Sequence, residues 1–271
     1  MDFAAAGSEV TREAGDFVAL LRQRGLSPAV QPAMAAQVAG EGASTAQTQA
    51  TTILAFKFAE GVLVAGDRRA TAGNIVVYDR ADKVLEIDSH SLMAIAGVPA
   101  TAWEMARVLE HSFQFYRRSQ LQEMSLEGKV RALSKLLRDN LSFVLQGVGV
   151  VVPIFAAYDP VAEAARLYFY DAMGAQFEAA DFAATGSGSP AVRSVLYYEN
   201  TWGKKPLVKR RESEAVVLAL RALDTAAEND TATGGVDRRG RVYPIIKIIS
   251  KDGIRTLAEK DLARVFKREV P

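Results

Sequence analysis

The sequence of residues 51–74 is TTILAFKFAEGVLVAGDRRATAGN. Its two apolar runs, at residues 51–58 and 62–67, have the length of β-strands, and a short glycine-containing connection joins them. The second run ends at Asp67, a charged residue after an apolar strand. The stretch therefore predicts a buried hairpin with two threonines at its start and a carboxylate at its end.

Thr51, the first of these threonines, is a candidate nucleophile. A threonine hydroxyl is weakly nucleophilic, but a free α-amino group on the same residue has a pKa of about 7.7–8.0 and can act as its base. Thr51 carries such a group only if the peptide bond that follows Ala50 is cut. The sequence therefore predicts a precursor, with residues 1–50 as a propeptide and residues 51–271 as the catalytic domain.

The predicted propeptide differs in composition from the rest of the chain. Between Glu9 and Arg24, apolar residues recur at helical spacing, and a glycine and a proline end the pattern. Residues 31–49 are rich in Ala, Gln, Gly, Ser and Thr, which favours a flexible linker. Its acidic start and short apolar stretch argue against a signal or transit peptide.

Composition narrows the class of protein. Of the 271 residues, 49% are hydrophobic, which is enough to bury a large core in one domain. Lys and Arg number 33 and Asp and Glu number 32, so the formal charge is +1. This balance gives no reason to expect a nucleic acid or an anionic membrane surface as a partner. We therefore expect a soluble globular protein.

Several kinds of functional site are excluded or disfavoured by missing residue types. The chain has no cysteine, so it has no disulfide, no thiolate metal site and no cysteine nucleophile. Its two histidines, His90 and His111, lack metal-ligand spacing and are too few to suggest a Ser-His-Asp triad. The most apolar stretch, residues 143–158, contains two glycines and a proline and is too short to span a membrane.

The order of predicted elements indicates the fold class. Apolar residues at helical spacing predict helices over residues 102–116, 126–144, 190–198 and 213–229. Beyond the opening hairpin, strands are predicted near residues 75–77, 83–87, 92–96, 148–158, 166–170, 242–250 and 254–257. Separate runs of strands and helices favour an α+β architecture, with two sheets buried between helical layers.

Five stretches together resemble the β subunit of the 20S proteasome, in its actinobacterial type. They are the opening TTILAFKFAEGVLVAGDRRATAGN, Lys83, the AIAGVPA segment around Gly97, GSGSP at residues 186–190 and NDTATGG at residues 229–235. The resemblance implies the N-terminal-nucleophile hydrolase fold, a four-layer α-β-β-α sandwich of antiparallel sheets between helices. It also implies a threonine endopeptidase that is matured by cleavage of its own chain between Ala50 and Thr51.

The resemblance further implies roles for named residues. Thr51 is nucleophile and base, and Asp67 and Lys83 form a buried ion pair beside it that lowers the proton affinity of its hydroxyl. The Gly97 N–H is the oxyanion donor. The residues that surround the Thr51 amine are Ser187, Asp230 and Thr233. No metal, nucleotide or organic cofactor is implied.

The resemblance also places a substrate-binding cleft. Thr71 and Gly97 hold the substrate backbone as an added strand. The pocket for the residue before the cut bond is lined by Ala70, Ala81, Leu85, Ile95, Pro99 and Trp103. Because the pocket has no charged residue, charged side chains lose their hydration there without compensation. We therefore expect cleavage after large apolar residues.

The partners implied by the resemblance are other proteasome subunits. The particle has two inner β rings and two outer α rings of seven subunits each, with the active sites inside a closed chamber. A ring-shaped ATPase acts through the α ring, and the substrates are unfolded proteins. Neither nucleic acid nor a membrane is expected as a partner, and the expected location is the cytoplasm.

One position departs from the family pattern. Family members almost always have glycine before the nucleophilic threonine, whereas this chain has Ala50. Self-cleavage requires the Thr51 hydroxyl to attack the preceding carbonyl, and glycine adopts the strained turn more readily than alanine. Two alternatives therefore stay open beside the active protease. One is a precursor-trapped or inactive β subunit, and the other is a different self-processing amidohydrolase of the same superfamily.

Overall fold

The computed structural model describes residues 51–72, 75–237 and 242–270, together with Phe17, Leu20 and Arg24. Its strands are β1 (Thr52–Phe58), β2 (Gly61–Gly66), β3 (Ala70–Ala72), β4 (Ile75–Tyr78), β5 (Val84–Asp88), β6 (Ser91–Ala94), β7 (Ile154–Asp159), β8 (Ala164–Tyr170), β9 (Gln176–Glu178), β10 (Phe182–Gly186), β11 (Ile245–Ser250) and β12 (Gly253–Thr256). Its helices are α1 (Pro99–Gln120), α2 (Leu126–Asp139), α3 (Leu141–Leu145), α4 (Ser189–Thr201), α5 (Glu212–Asn229) and α6 (Glu259–Glu269).

The strands of the described residues form two five-stranded antiparallel sheets and one small hairpin. The first sheet has the order β10-β1-β2-β11-β12, the second has the order β5-β6-β7-β8-β9, and β3 pairs with β4. In the first sheet, β1 and β2 are the hairpin that the opening stretch predicts, and Phe58 pairs with Gly61 at its turn.

Three apolar layers separate the sheets and helices. Along β1, Ile53 and Ala55 face the second sheet, while Leu54 and Phe56 face α4 and α5. This alternation explains why the strand is apolar on both faces. The layer under α1 and α2 includes Met93, Leu109, Phe113, Leu133, Leu137 and Phe155. The result is a helix-sheet-sheet-helix sandwich, which confirms the predicted α+β fold class.

Some predicted boundaries were wrong, and proline explains two of them. The strands predicted to begin at residues 148 and 242 begin at Ile154 and Ile245. Pro153 and Pro244 precede them directly, and a proline has no N–H to donate to a neighbouring strand. The single helix predicted over residues 126–144 is two helices, divided at Asn140, whose side chain donates to the Gly149 carbonyl at 2.7 Å.

The N-terminal segment is described at three residues. The Phe17 ring lies 5.8 Å from the Phe115 ring and 6.3 Å from the His111 ring, both on α1. The Arg24 N–H donates to the Leu20 carbonyl at 3.1 Å, a helical bond. The predicted linker over residues 31–49 and the Ala50 side of the predicted cleavage site lie outside the described residues.

Within the described part of the chain, no helix combines the length and the apolar character required to cross a membrane.

Candidate active site

The start of β1 is held on both sides by backbone hydrogen bonds. Thr52 pairs with Gly186 across the β1–β10 ladder. The Ser187 N–H donates to the Thr51 carbonyl at 3.1 Å, and the Asp67 N–H donates to the Thr52 carbonyl at 3.1 Å. Thr51 itself is 5% exposed. The Thr51 and Thr52 carbonyls are therefore held between the end of β10 and the end of β2.

The Gly-Ser-Gly segment after β10 allows this close approach. Gly186 has φ +97°, and a Cβ there would lie 1.7 Å from the Thr51 carbonyl oxygen. A Cβ on Gly188 would lie 2.5 Å from Thr233 Oγ1 and 2.6 Å from Thr52 Oγ1. Neither position has space for a larger side chain, so both glycines are required by packing around Thr51, Thr52 and Thr233.

Asp67 and Lys83 form a buried ion pair next to β1. Their side chains are 0% and 4% exposed, and Lys83 Nζ donates to Asp67 Oδ1 at 2.7 Å. The same oxygen accepts the Thr52 N–H at 2.8 Å, while Oδ2 accepts the Arg69 and Gly234 N–H groups, each at 2.9 Å. Lys83 Nζ also donates to the Arg69 carbonyl at 2.5 Å. The carboxylate thus accepts four hydrogen bonds and connects Lys83 to the backbone of β1.

Burial sets the proton affinity of the Lys83 ammonium. Loss of hydration lowers the pKa of Lys83 below its usual 10.5, the Asp67 carboxylate opposes that change, and the nearby Arg69 charge adds to it. The pKa of Lys83 is lowered on balance. The site therefore contains an ammonium that gives up its proton more readily than a lysine in water.

A second hydrogen-bonded chain reaches the other side of Thr52. Ser187 Oγ donates to Asp230 Oδ2 at 2.6 Å, and Thr233 Oγ1 donates to the same oxygen at 2.5 Å. Thr233 has one hydroxyl proton, so in its 2.6 Å bond with Thr52 the Thr52 hydroxyl is the donor. Thr52 Oγ1 in turn accepts the Gly188 N–H at 2.9 Å. The chain runs in one direction, from a backbone amide to the Asp230 carboxylate.

The Asp230 carboxylate ends this chain as an anion. Burial raises the pKa of Asp230, but hydrogen bonds from Ser187 and Thr233 and from backbone N–H groups outweigh that effect, and the pKa lies below its usual value. Among the described residues, no group of three or more acidic or histidine side chains is arranged to hold a metal ion.

Gly97, the predicted oxyanion donor, lies in a tightly packed loop before α1. It has φ +111°, and a Cβ there would lie 2.0 Å from the Val150 carbonyl oxygen. The nearby Ile95 N–H donates to the Lys83 carbonyl at 2.9 Å, which ties this segment to the ion pair. The glycine is therefore required by packing, and its role as an oxyanion donor stays a prediction.

The predicted substrate-binding residues differ in exposure. Thr71 and the pocket residues Ala81 and Ile95 are buried, and Ala70, Leu85 and Pro99 are half-buried. Trp103 is 45% exposed and is not among the buried residues of α1, which begin at Ala102. The specificity pocket stays a prediction.

Sequence reasoning missed three residues of the site. Thr52, Arg69 and Gly234 all donate backbone N–H groups to Asp67, and Thr52 also joins the two hydrogen-bonded networks. A buried polar residue at the start of a mainly apolar strand is a usable signal for Thr52. No sequence signal separates Arg69 from its neighbour Arg68, because its role depends on its backbone atoms.

Comparisons with known proteins identify the family of this chain. A family profile described as "Proteasome subunit" matches residues 47–239. The chain is 42% identical over 217 residues to proteasome subunit beta 2 of Thermomonospora curvata, covering 79% of this chain and 74% of the relative. It is 40% identical over 213 residues to proteasome subunit beta of Jonesia denitrificans, covering 79% and 68%.

A third relative, proteasome subunit beta of Streptomyces griseus, is 37% identical over 215 residues, covering 79% of this chain and 74% of the relative. The profile match extends over the hairpin, the Asp67–Lys83 pair and the Gly-Ser-Gly segment. The profile and the relatives together confirm the predicted resemblance. The chain belongs to the proteasome subunit family, among its β subunits.

Proposed function

We propose that this chain is the catalytic β subunit of a bacterial 20S proteasome and acts as a threonine endopeptidase. The observation that carries the proposal is the buried Asp67–Lys83 pair, which shares a carboxylate oxygen with the Thr52 N–H at the start of β1. The family resemblance puts this ammonium beside the Thr51 hydroxyl, where a positive charge favours loss of the hydroxyl proton. That effect is of use only if the hydroxyl is the reacting group.

In the first step, the Thr51 hydroxyl oxygen attacks the carbonyl carbon of the substrate. The hydroxyl proton moves to the Thr51 amine, whose pKa as an α-amino group lies close to neutrality. The negative charge that develops on the carbonyl oxygen is stabilised by the Gly97 N–H. The C–N bond then breaks, the leaving amine takes the proton, and an ester to Thr51 remains.

In the second step, water cleaves the ester. The Thr51 amine takes a proton from the water, the resulting hydroxide adds to the ester carbon, and the C–O bond to the threonine breaks. The proton returns to the threonine oxygen, and the carboxylic acid product leaves. The chain of Ser187, Thr233 and the Asp230 carboxylate positions the strand end that carries the amine.

The amine of this mechanism exists only after processing. We propose that the Thr51 hydroxyl attacks the Ala50 carbonyl carbon, so that the C–N bond breaks, the Thr51 nitrogen becomes a free amine and residues 1–50 are held as an ester on the Thr51 oxygen. Water then hydrolyses this ester, residues 1–50 leave as a carboxylic acid, and residues 51–271 form the mature subunit. Alanine in place of glycine makes the required turn more strained, and we expect slower processing rather than none.

Assembly into a barrel follows from the family. We propose that the chain forms seven-membered rings, which stack with α rings so that Thr51 faces an enclosed chamber in the cytoplasm. A ring-shaped ATPase supplies unfolded proteins through the α ring. The predicted apolar pocket directs cleavage after large apolar residues.

The test is to produce the chain together with the α subunit of the same organism and to measure its intact mass. Loss of residues 1–50, a covalent epoxyketone adduct on Thr51 and hydrolysis of peptides after leucine or phenylalanine support the proposal. Thr51→Ala serves as the inactive control, and Ala50→Gly tests whether processing is limited by that residue.

Other outcomes contradict parts of the proposal. An assembled particle that retains residues 1–50 and forms no adduct indicates a precursor-trapped or inactive subunit. A processed protein that forms no ring and cleaves only small amides indicates another amidohydrolase of the superfamily. Faster cleavage after arginine or aspartate contradicts the apolar pocket.

A further inference from the structure

Lys247 places a positive charge at an apolar position of β11. Side chains two apart along a strand share a face, and Ile245 and Ile249 on either side of Lys247 both belong to the apolar layer between the two sheets. Lys247 pairs across the ladder with Val64, another member of that layer. The lysine is only 6% exposed. The strand pattern predicts an aliphatic residue here, so the charge requires an explanation.

The partners of this ammonium lie on the opposite sheet. Lys247 Nζ is 3.0 Å from Glu86 Oε1, on β5, and 3.6 Å from Asp82 Oδ2, just before β5. These two acids flank Lys83 in the sequence. The other oxygen of Asp82 accepts the Val84 N–H at 2.9 Å, which fixes the turn immediately around Lys83. One side chain of the first sheet therefore holds both sides of the catalytic lysine.

The remaining contacts of Lys83 explain why this matters. Its Nζ is held by the Asp67 carboxylate and the Arg69 carbonyl, and its own carbonyl accepts the Ile95 N–H at 2.9 Å. These contacts fix the tip of the side chain and one side of its backbone. Lys247 connects the first sheet, next to Thr51 and Asp67, to the start of β5, which directly follows Lys83.

We propose that Lys247 is a positioning residue for Lys83: its ion pairs to Asp82 and Glu86 set the start of β5 at the distance from the first sheet that the reaction requires. The inference rests on the proposed function, since it assigns Lys247 a part in the threonine peptidase reaction. Lys247 touches neither the substrate nor Thr51 in this role.

A contribution to stability alone does not account for the residue. Replacing a buried ion pair with a well-packed apolar side chain is commonly neutral or stabilising. The side chains of Asp82 and Glu86 are 46% and 52% exposed, so both acids regain water when the lysine is removed. Lys247→Met, which keeps the length of the side chain, is therefore expected to fold and to be as stable as the parent.

The test measures peptide hydrolysis by the assembled particle with Lys247→Met, Lys247→Arg and a matched control. The control is Lys129→Met, because Lys129 is also buried and pairs with Asp88 at 2.7 Å at the far end of the same strand. Displacement of a catalytic group by about 1 Å lowers rates by up to about 100-fold. We expect Lys247→Met to lower kcat about 10- to 100-fold with KM nearly unchanged, and to slow epoxyketone reaction at Thr51 equally.

Lys247→Arg is expected to recover most of the lost rate, since it restores a cation of similar reach, and Lys129→Met is expected to keep the parent kcat. A Lys247→Met particle with the parent kcat overturns the inference, as does an equal loss in Lys129→Met. If Lys247→Met does not assemble, the double variant Asp82→Asn with Glu86→Gln removes the same ion pairs from the exposed side. A parent-like kcat in that double variant also overturns the inference.

Failure of the underlying proposal gives a different result. If the parent particle itself forms no adduct at Thr51, the proposed function is wrong and the role of Lys247 is wrong with it. If the parent forms the adduct and Lys247→Met forms it at the same rate, only the positioning role is wrong.

Discussion

Asp67→Asn is the substitution that tests the centre of the site most directly. The Asp67 carboxylate accepts four hydrogen bonds, two on each oxygen, and its side chain is fully buried. Asparagine has one oxygen, so its NH₂ group must face two of the four donors. In addition, the Lys83 ammonium, whose side chain is 4% exposed, loses its only anionic partner among the described residues.

The expected cost follows from those contacts. Removing one member of a buried ion pair typically destabilises a protein by about 3–5 kcal/mol, because the other charge stays buried without compensation. For a domain of this size, each 1 kcal/mol lowers Tm by about 2–4 °C, which gives a loss of about 6–20 °C. Lys83→Met is expected to cost less, since the Asp67 carboxylate keeps three backbone N–H donors.

The assay is urea unfolding of the full-length chain, followed by circular dichroism, for the two single variants and the double variant. Because Lys83→Met removes the stranded ammonium, the double variant is expected to be more stable than Asp67→Asn alone. Peptide hydrolysis is expected to be lost in all three. The reasoning is refuted if the two single effects simply add, since additivity means that Asp67 and Lys83 do not interact energetically.

Three further predictions concern the same site. Gly186→Ala is expected to cost more than the roughly 1–3 kcal/mol of backbone strain alone, because its Cβ would meet the Thr51 carbonyl; Gly147→Ala, which has φ +75° but no neighbour within 4 Å, is the control for strain. Thr233→Val is expected to destabilise the chain by about 1–3 kcal/mol in urea unfolding, because buried partners lose hydrogen bonds, whereas Thr233→Ser stays close to the parent. Because the pKa of Lys83 is lowered in the folded chain, the unfolded chain holds more protons than the folded chain as the pH approaches 10.5. The stability of the parent relative to Lys83→Met should therefore increase with pH over that range. Hydrolysis should decline at a pH below 10.5. An alkaline decline centred above 10.5 would show that Lys83 is not the titrating group.

Much of the fold could be predicted because its signals are local. The mainly apolar sequences of β1 and β2, their short connection and the spacing of buried residues in α1 and α5 depend on neighbours a few positions apart. The short strand β10 was not predicted, since its five residues, which end in a glycine, carry no periodic signal. Its position beside β1 is decided by long-range pairing.

The family resemblance predicted Thr51, Asp67 and Lys83 as site residues. It did not predict the backbone atoms that connect them. Asp67 is held by backbone N–H groups, and any amino acid other than proline supplies one. An argument from residue types therefore cannot identify Arg69 or Gly234. Gly234 is also packed closely, because a Cβ there would lie 2.8 Å from the Arg69 side chain. Which backbone groups converge on a carboxylate is a property of the folded chain.

The placement of the hydrogen bonds around Thr51 and Thr52 has a consequence for maturation. The described bonds engage the Thr51 carbonyl and the amide, carbonyl and hydroxyl of Thr52, all of which lie on the retained side of the proposed cleavage site. None of these bonds requires the free amine that the proposed cleavage would create. If the proposed cleavage after Ala50 takes place, these hydrogen bonds need not change when the Thr51 amine is freed, and we expect the described geometry to serve as a template for fitting inhibitors to the mature subunit.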